Sequence, residues 1–177
     1  MIYINGHDLT LDQVIMVARH GEKAALSEEA KQAINKARAY VDKKLSEHAV
    51  IYGLTTGFGK FSDTFVPEEE TAALQRNLII SHSCGMGNPL PTEAVRAAML
   101  LRCNALSKGN SGIRLSTIET MLEMLNRGVH PIIPEKGSLG ASGDLAPLSH
   151  IVLVMLGEGE AEYQGVRMTG KEAMEKA

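Results

Sequence analysis

The sequence has no tryptophan, only seven aromatic residues in 177, and just two cysteines, Cys84 and Cys103. Two cysteines cannot build a disulfide framework, and they suit a reducing cytoplasm. No apolar run approaches the roughly 20 residues that a membrane helix requires. The strongest, Ile151 to Leu156, has six. The N-terminus lacks the basic, then apolar, then small-residue order of a secretory signal. Positive charge is not in excess, the net charge being −3, and this excludes a generic basic surface for nucleic acid. What these absences leave is a soluble, cytoplasmic globular chain. With 44% apolar and 22% charged residues, it is long enough to bury one core.

Glycine is the residue in surplus. Of the seventeen, ten fall in clusters: 53, 57 and 59; 85 and 87; 109 and 112; 137, 140 and 143. Clustered glycines mark places where backbone turns sharply or approaches something closely. They are the first places to look for chemistry.

Between the clusters the chain reads as helices. Thr10 with Gln13 forms a capping box for a short helix that stops at Gly21. Ser27, followed by Glu28 and Glu29, opens a longer one running to about Ser46. A short extended piece, Ala49 to Ile51, leads into the first glycine loop. Pro67 and three glutamates start a helix running toward His82 and ending at Gly85. Thr92 and Glu93 begin the next, with Val95, Met99, Cys103 and Leu106 on one face. Leu115, Ile118, Met121, Leu122 and Leu125 make an apolar stripe at helical period, stopped by Gly128.

Residues 129–144 (VHPIIPEKGSLGASGD) read as irregular loop. A buried helix follows, with Pro147 tolerated in its first turn. Glu162 to Met168 reads as a hairpin about Gly165, and Thr169 caps a last helix. The class is mainly α with minor β.

The glycine loops invite a nucleotide reading, which fails. A P-loop needs glycine where Leu54 stands, and Phe61 follows Lys60 where Ser or Thr is required. Gly57-Phe-Gly59 and Gly157-Glu-Gly159 both lack the third glycine of a dinucleotide fingerprint. The six histidines, at 7, 20, 48, 82, 130 and 150, show no metal-ligand spacing.

Residues 137–150 (GSLGASGDLAPLSH) carry a more specific possibility. Within Ala141-Ser142-Gly143, a tight fold-back lets the amide nitrogen of Gly143 attack the carbonyl of Ala141 and close a five-membered ring. Glycine is needed because a Cβ would obstruct the approach. Loss of water from the ring and from the Ser142 side chain leaves a methylidene-imidazolone (MIO), an electrophile that no unmodified side chain supplies. The plainer reading is a loop ending in a helix cap, Ser142 or Asp144.

The segment resembles the signature of the aromatic amino acid ammonia-lyases nearly residue for residue. Three further stretches match in order: Tyr52-Gly-Leu-Thr-Thr-Gly-Phe-Gly59, Leu78-Ile-Ile-Ser-His-Ser-Cys-Gly85, and residues 102–114 (RCNALSKGNSGIR). The resemblance implies that residues 1–177 are the N-terminal, MIO-forming portion of a helical-bundle lyase. The C-terminal bundle and its site residues would then lie outside this chain, and this piece alone would lack substantial turnover. It further implies a homotetramer, no metal, no nucleotide and no external cofactor.

By the same resemblance, Ala141, Ser142 and Gly143 form the electrophile and Tyr52 is the base that removes the substrate's β-proton. His82 contacts the substrate ring, Asp144 assists or orients ring formation, and Gly53, Gly57 and Gly59 let the Tyr52 loop close. A histidine at position 82 is similar to the histidine-using members, which convert L-histidine to urocanate and ammonia. Tyrosine or phenylalanine lyases and aminomutases of the family are the alternatives, as is an inactive, uncyclised fragment. Asn104 and Arg114 are expected to give structural support, Cys84 and Cys103 to be small buried hydrophobes, and His150 to pack on the helix after the loop. The helices at 92–106, 115–126 and 145–156 are expected to leave apolar surface for partner subunits.

Overall fold

A computed structural model describes residues 1–57, 68–140 and 143–177, with the side chains of residues 68–71 outside that description. The start of the third helix at Pro67 also falls outside it, as do Gly59, Ala141 and Ser142. Among the described residues there are seven helices and seven short strands, so helix dominates as expected.

The first strand, β1 (Ile2–Ile4), pairs in parallel with β2 (Ala24–Leu26) on either side of helix α1 (Leu11–His20). Thr10 and Gln13 form the anticipated capping box, and Gly21, at φ +69°, closes the helix. Three-residue strands give too little alternation to be seen in sequence, and this pair was missed. Ile4, Ala24 and Leu26 point into the core.

Helix α2 (Glu28–Ser46) is capped by Ser27, whose hydroxyl accepts from Ala30 N, and buries Ala30 and Ile34. No strand forms at Ala49 to Ile51, where the chain passes directly into a hydrogen-bonded turn. Helix α3 (Glu68–His82) ends at His82 rather than at Gly85.

The core is built by α4 (Thr92–Leu106) and α5 (Leu115–Arg127), which pack on each other, with α1 against α4. Val95, Met99, Cys103 and Leu106 are buried on one face of α4, and Ile118, Met121, Leu122 and Leu125 on α5. Each such side chain contributes on the order of 1.5–3 kcal/mol by leaving water. Burial pushes the Cys103 thiol up to about 12, so it is inert apolar filling.

One cation lies inside this core. Arg96, on α4, donates to the carbonyls of Val17 and Leu125, in the last turns of α1 and α5. Those carbonyls carry the partial negative charge of helix C-termini, so the guanidinium is compensated without a carboxylate. It also donates to His130 Nε2 at 3.1 Å. The His130 proton is therefore on Nδ1, which has no hydrogen-bond partner among the described residues; Glu162 Oε1 stands 3.8 Å away. Burial first, and Arg96 second, hold His130 below its ordinary pKa.

Residues 129–144 are not wholly irregular. They contain β4 (Val129–Pro131) and β5 (Pro134–Lys136), which prolines disguise in the sequence. Strand β5 pairs antiparallel with β3 (Met86–Pro89), and β4 pairs with β6 (Glu160–Tyr163), which forms the expected hairpin with β7 (Val166–Thr169). Gln164 and Gly165 both take positive φ, as a two-residue hairpin turn requires. Helix α6 (Leu145–Met155) buries Ala146, Ser149, Ile151 and Val154. It leaves Leu145 exposed, so it is buried on one face only. Helix α7 (Gly170–Lys176) starts from a second capping box, Thr169 with Glu172.

Candidate active site

The Tyr52 turn is shaped by threonines as much as by glycines. Thr55 Oγ1 donates to Ala49 O at 2.8 Å and accepts from Ile51 N at 2.8 Å. Thr56 Oγ1 accepts from Gly53 N at 3.2 Å and donates to Gly57 O at 3.0 Å. Both threonines are buried, Thr56 to 1% exposure. Gly53 takes φ +71°, and Gly57 is buried. The result is a knot of internal hydrogen bonds that leaves Tyr52 on the outside, 64% exposed. The structural part of Thr55 and Thr56 was missed in sequence, although adjacent hydroxyls beside a glycine are a turn signal.

His82 sits at the last position of α3. Its Nδ1 lies 2.9 Å from Leu78 O and 3.0 Å from Ser81 Oγ. A carbonyl only accepts, so Nδ1 carries a hydrogen, and in the neutral ring Nε2 is the nitrogen with the lone pair. The helix's own backbone thus selects the tautomer. Cys84, two residues on, is exposed, contrary to the expectation that both cysteines are buried. The helix has already ended there and the chain is crossing the surface.

Gly85 joins this helix end to the loop of residues 137–143. Its N–H donates to His150 Nε2 on α6 at 3.1 Å. A Cβ at Gly85 would lie 2.9 Å from that nitrogen, 3.1 Å from Pro134 Cβ and 3.2 Å from Lys136 O. From the other side, a Cβ at Gly137 (φ +140°) would lie 3.0 Å from Gly85 Cα. The two backbones therefore touch, and only glycine fits at both places. Burial lowers the pKa of His150, which favours the neutral ring whose Nε2 can accept. His150 lies on α6, the helix after the loop, and its bond from Gly85 ties α6 to the end of α3.

Gly137, Gly140 and Gly143 all have positive φ, at +140°, +97° and +74°. Ser138 Oγ donates to Gly143 O at 2.6 Å, and a Cβ on Gly143 would lie 2.8 Å from that same oxygen. Asp144 follows at the N-cap of α6, exposed and without a side-chain capping bond. Leu139, 84% exposed, and Leu145 rim the loop with apolar surface. A Cβ at Gly143 would crowd Ser138 Oγ, and the Ser138–Gly143 bond brings those two residues together. The contribution of Ser138 was not read from the sequence.

The structure thus brings the His82–Gly85 segment against the 134–150 segment. The Tyr52 turn is held by its own bonds. In the fourth motif, Asn104 supports structure as expected, its Oδ1 accepting from Gly6 N at 3.0 Å. Arg114 stands at the N-cap of α5. A Cβ at Gly109 would meet the Ala33 backbone at 2.6 Å and one at Gly112 would meet Val41 Cγ2 at 2.4 Å, so these glycines seat the motif on α2. Among the described residues no helix is long and apolar enough to cross a membrane, and no cluster of His, Cys, Asp or Glu is disposed to hold a metal.

Residues 9–177 match the family described as aromatic amino acid lyase. A curated histidine ammonia-lyase from Alkaliphilus oremlandii is 64% identical over 176 residues, which cover 99% of this chain and 35% of that protein. The solved phenylalanine aminomutase of Pantoea agglomerans superposes with a TM-score of 0.93 at 37% identity, covering 99% of this chain and 34% of that one. The histidine ammonia-lyase of Trypanosoma cruzi superposes with a TM-score of 0.89 at 38% identity, over 99% and 34%. The chain spans about a third of the length of the curated relatives it matches.

Proposed function

The chain belongs to the aromatic amino acid lyase family, and from that membership we propose that it supplies the ring-forming loop, the base and the ring contact of a histidine ammonia-lyase. The enzyme would eliminate ammonia from L-histidine to give urocanate. The observation that carries the reading is the junction at Gly85, where the segment bearing His82 meets the segment bearing Ala141-Ser142-Gly143 in backbone contact.

Ala141, Ser142 and Gly143 would hold the methylidene-imidazolone, which would supply an electrophilic carbon able to make the substrate's amino nitrogen a leaving group. Tyr52 then takes the proton from the β-carbon. As the β-carbon–hydrogen bond breaks, its electron pair forms the double bond to the α-carbon and the carbon–nitrogen bond releases ammonia. His82 Nε2, holding its lone pair, accepts the N–H of a substrate imidazole, a preference that a phenyl ring cannot satisfy. Asp144 orients the ring-forming segment at the start of α6. Gly53, Gly57 and Gly59 would let the Tyr52 turn close over substrate once the Thr56 bonds to Gly53 and Gly57 open.

In the same proposal the enzyme is a cytoplasmic homotetramer. Exposed Leu101, Leu145 and Leu156 on α4, α6 and its C-cap support a covered surface in the assembly. The unpaired Cys84 and Cys103 are in keeping with a reducing compartment. Residues 1–177 alone are expected to turn over no substrate substantially.

The test is an assay of the intact protein with L-histidine, L-tyrosine and L-phenylalanine, together with its intact mass. Urocanate absorbance from histidine, and a mass lower by about 36 Da for two lost waters, are the expected results. Cinnamate or coumarate in place of urocanate would overturn the substrate. An unshifted mass would overturn the ring.

A further inference from the structure

We propose that His150 is a positioning residue for His82, fixing where the end of α3 presents its imidazole to substrate; the role rests on the ring contact proposed for His82. The His82 ring does not choose its own place. Its Nδ1 is held at 2.9 Å from Leu78 O and 3.0 Å from Ser81 Oγ, so the ring moves with the last turn of α3. Whatever fixes that turn fixes Nε2.

Apolar packing fixes it weakly. None of the described side chains of α3, residues 72–82, is buried, and none belongs to the core that holds α4 and α5. Helix α3 lies against α6, and two polar contacts fasten the pair. One is the ion pair of Arg76 with Glu158, just past α6. Both of its partners meet solvent, and pairs of that kind hold little. The other is the bond from Gly85 N to His150 Nε2 at 3.1 Å.

The link from that bond back to His82 is short and stiff. Ser83 N bonds to the carbonyls of Ile79 and Ile80, and Ser83 Oγ donates to Ile79 O at 2.8 Å. Only Cys84 then separates Ser83 from Gly85. His150 stands on an anchored element, since Ser149 and Ile151 beside it on α6 are buried. Beyond Gly85 the chain passes into β3, where Met86 pairs with Lys136 of β5. The His150 bond is therefore the first tertiary fixed point after His82. It is a directional one, because the acceptor is a single lone pair and a Cβ at Gly85 would reach within 2.9 Å of it.

The experiment compares the intact protein with His150→Phe, His150→Leu and His150→Gln, each alone and combined with His82→Ala. Phenylalanine keeps a flat ring and removes the acceptor, whereas glutamine returns an acceptor oxygen near the place of Nε2. Kinetics with L-histidine are measured per ring-bearing chain, counted by intact mass, and exchange of the Gly85 amide is followed beside them. His150→Phe should raise KM about tenfold, as loss of one buried hydrogen bond allows, with kcat unchanged. The Gly85 amide should exchange faster, and glutamine should restore both. In the His82→Ala background the same change should alter KM by less than about twofold, because the contact it positions is already gone. Leucine decides the matter if the phenylalanine variant does not fold.

Wild-type KM or unaltered Gly85 exchange in a folded phenylalanine or leucine variant would overturn the role of His150. So would a loss confined to kcat, a variant that folds without the mass change of wild type, or an undiminished effect in the His82→Ala background. Wild-type KM in His82→Ala alone, or no turnover of L-histidine by the wild type, would instead overturn the reading on which the role rests.

Discussion

Helices α4 and α5 and the loops around His82 and Gly143 occupy one molecule but are held by different forces. The helices are fixed by close-packed apolar side chains, Met99 and Leu100 being fully buried. The loops are fixed by single polar contacts to backbone: Thr55 to Ala49, His82 to Leu78, His150 to Gly85 and Ser138 to Gly143. Dispersion and hydrophobic burial are spread over many atoms and tolerate repacking, whereas one hydrogen bond in a loop has no substitute. The core can thus absorb sequence change while the loops keep a defined geometry.

The largest effect should come from the loops and leave the core untouched. Replacing Tyr52 with Phe should lower turnover by about 10²–10⁴, the range for loss of a general base, with the melting temperature and the loss of two waters unchanged. A variant that kept wild-type turnover would remove Tyr52 as the base. Next comes the core: Leu100→Ala should cost about 2–5 kcal/mol in urea unfolding, and Leu100→Met under about 1.5 kcal/mol. Equal losses from both would contradict the distributed packing.

A smaller effect should follow from Thr55→Val, which keeps the shape but strands Ala49 O and Ile51 N. About 1–3 kcal/mol is expected, confined to the Tyr52 turn in hydrogen exchange. If protection in α4 and α5 fell as well, the two regions would not be separable.

The smallest effect is a slope with pH. In the folded chain His130 is held below its ordinary pKa by burial and Arg96, and His150 by burial. The unfolded chain therefore binds protons first as the pH falls. Their contribution is complete above about pH 6.5, the unfolded value, and is lost as the pH drops toward the folded value. Melting temperatures from pH 7.5 to 5 should decline, and His130→Gln should flatten the decline. An unchanged slope would rule out His130 as a contributor.

The sequence was legible wherever a pattern repeats. The stripes on α4 and α5, the capping boxes at Thr10 and Thr169, and the hairpin at Gly165 all stand where periodicity and turn chemistry point. The β1–β2 and β3–β5 pairs were not legible, because their strands are too short to alternate and β3 and β5 contain Gly87, Pro89 and Pro134. Arg96 was invisible for another reason: a charged residue reads as surface unless its compensating carbonyls are known, and these come from residues 79 and 29 positions away. In the site, the glycines announced where the backbone turns. They could not announce which hydroxyl or imidazole holds each turn, since the partners of Gly85 and Gly143 are fixed only by the fold.

The contact between Gly85 and Gly137 sets a boundary for anyone who wishes to redesign substrate choice. At Gly85 and Gly137 even a methyl group acts as a wedge between the two halves of the site, within 3.0 Å of backbone or imidazole. If His82 contacts the substrate ring as proposed, libraries aimed at new substrates would vary position 82 and leave this seam alone, as the datum from which the other distances are measured.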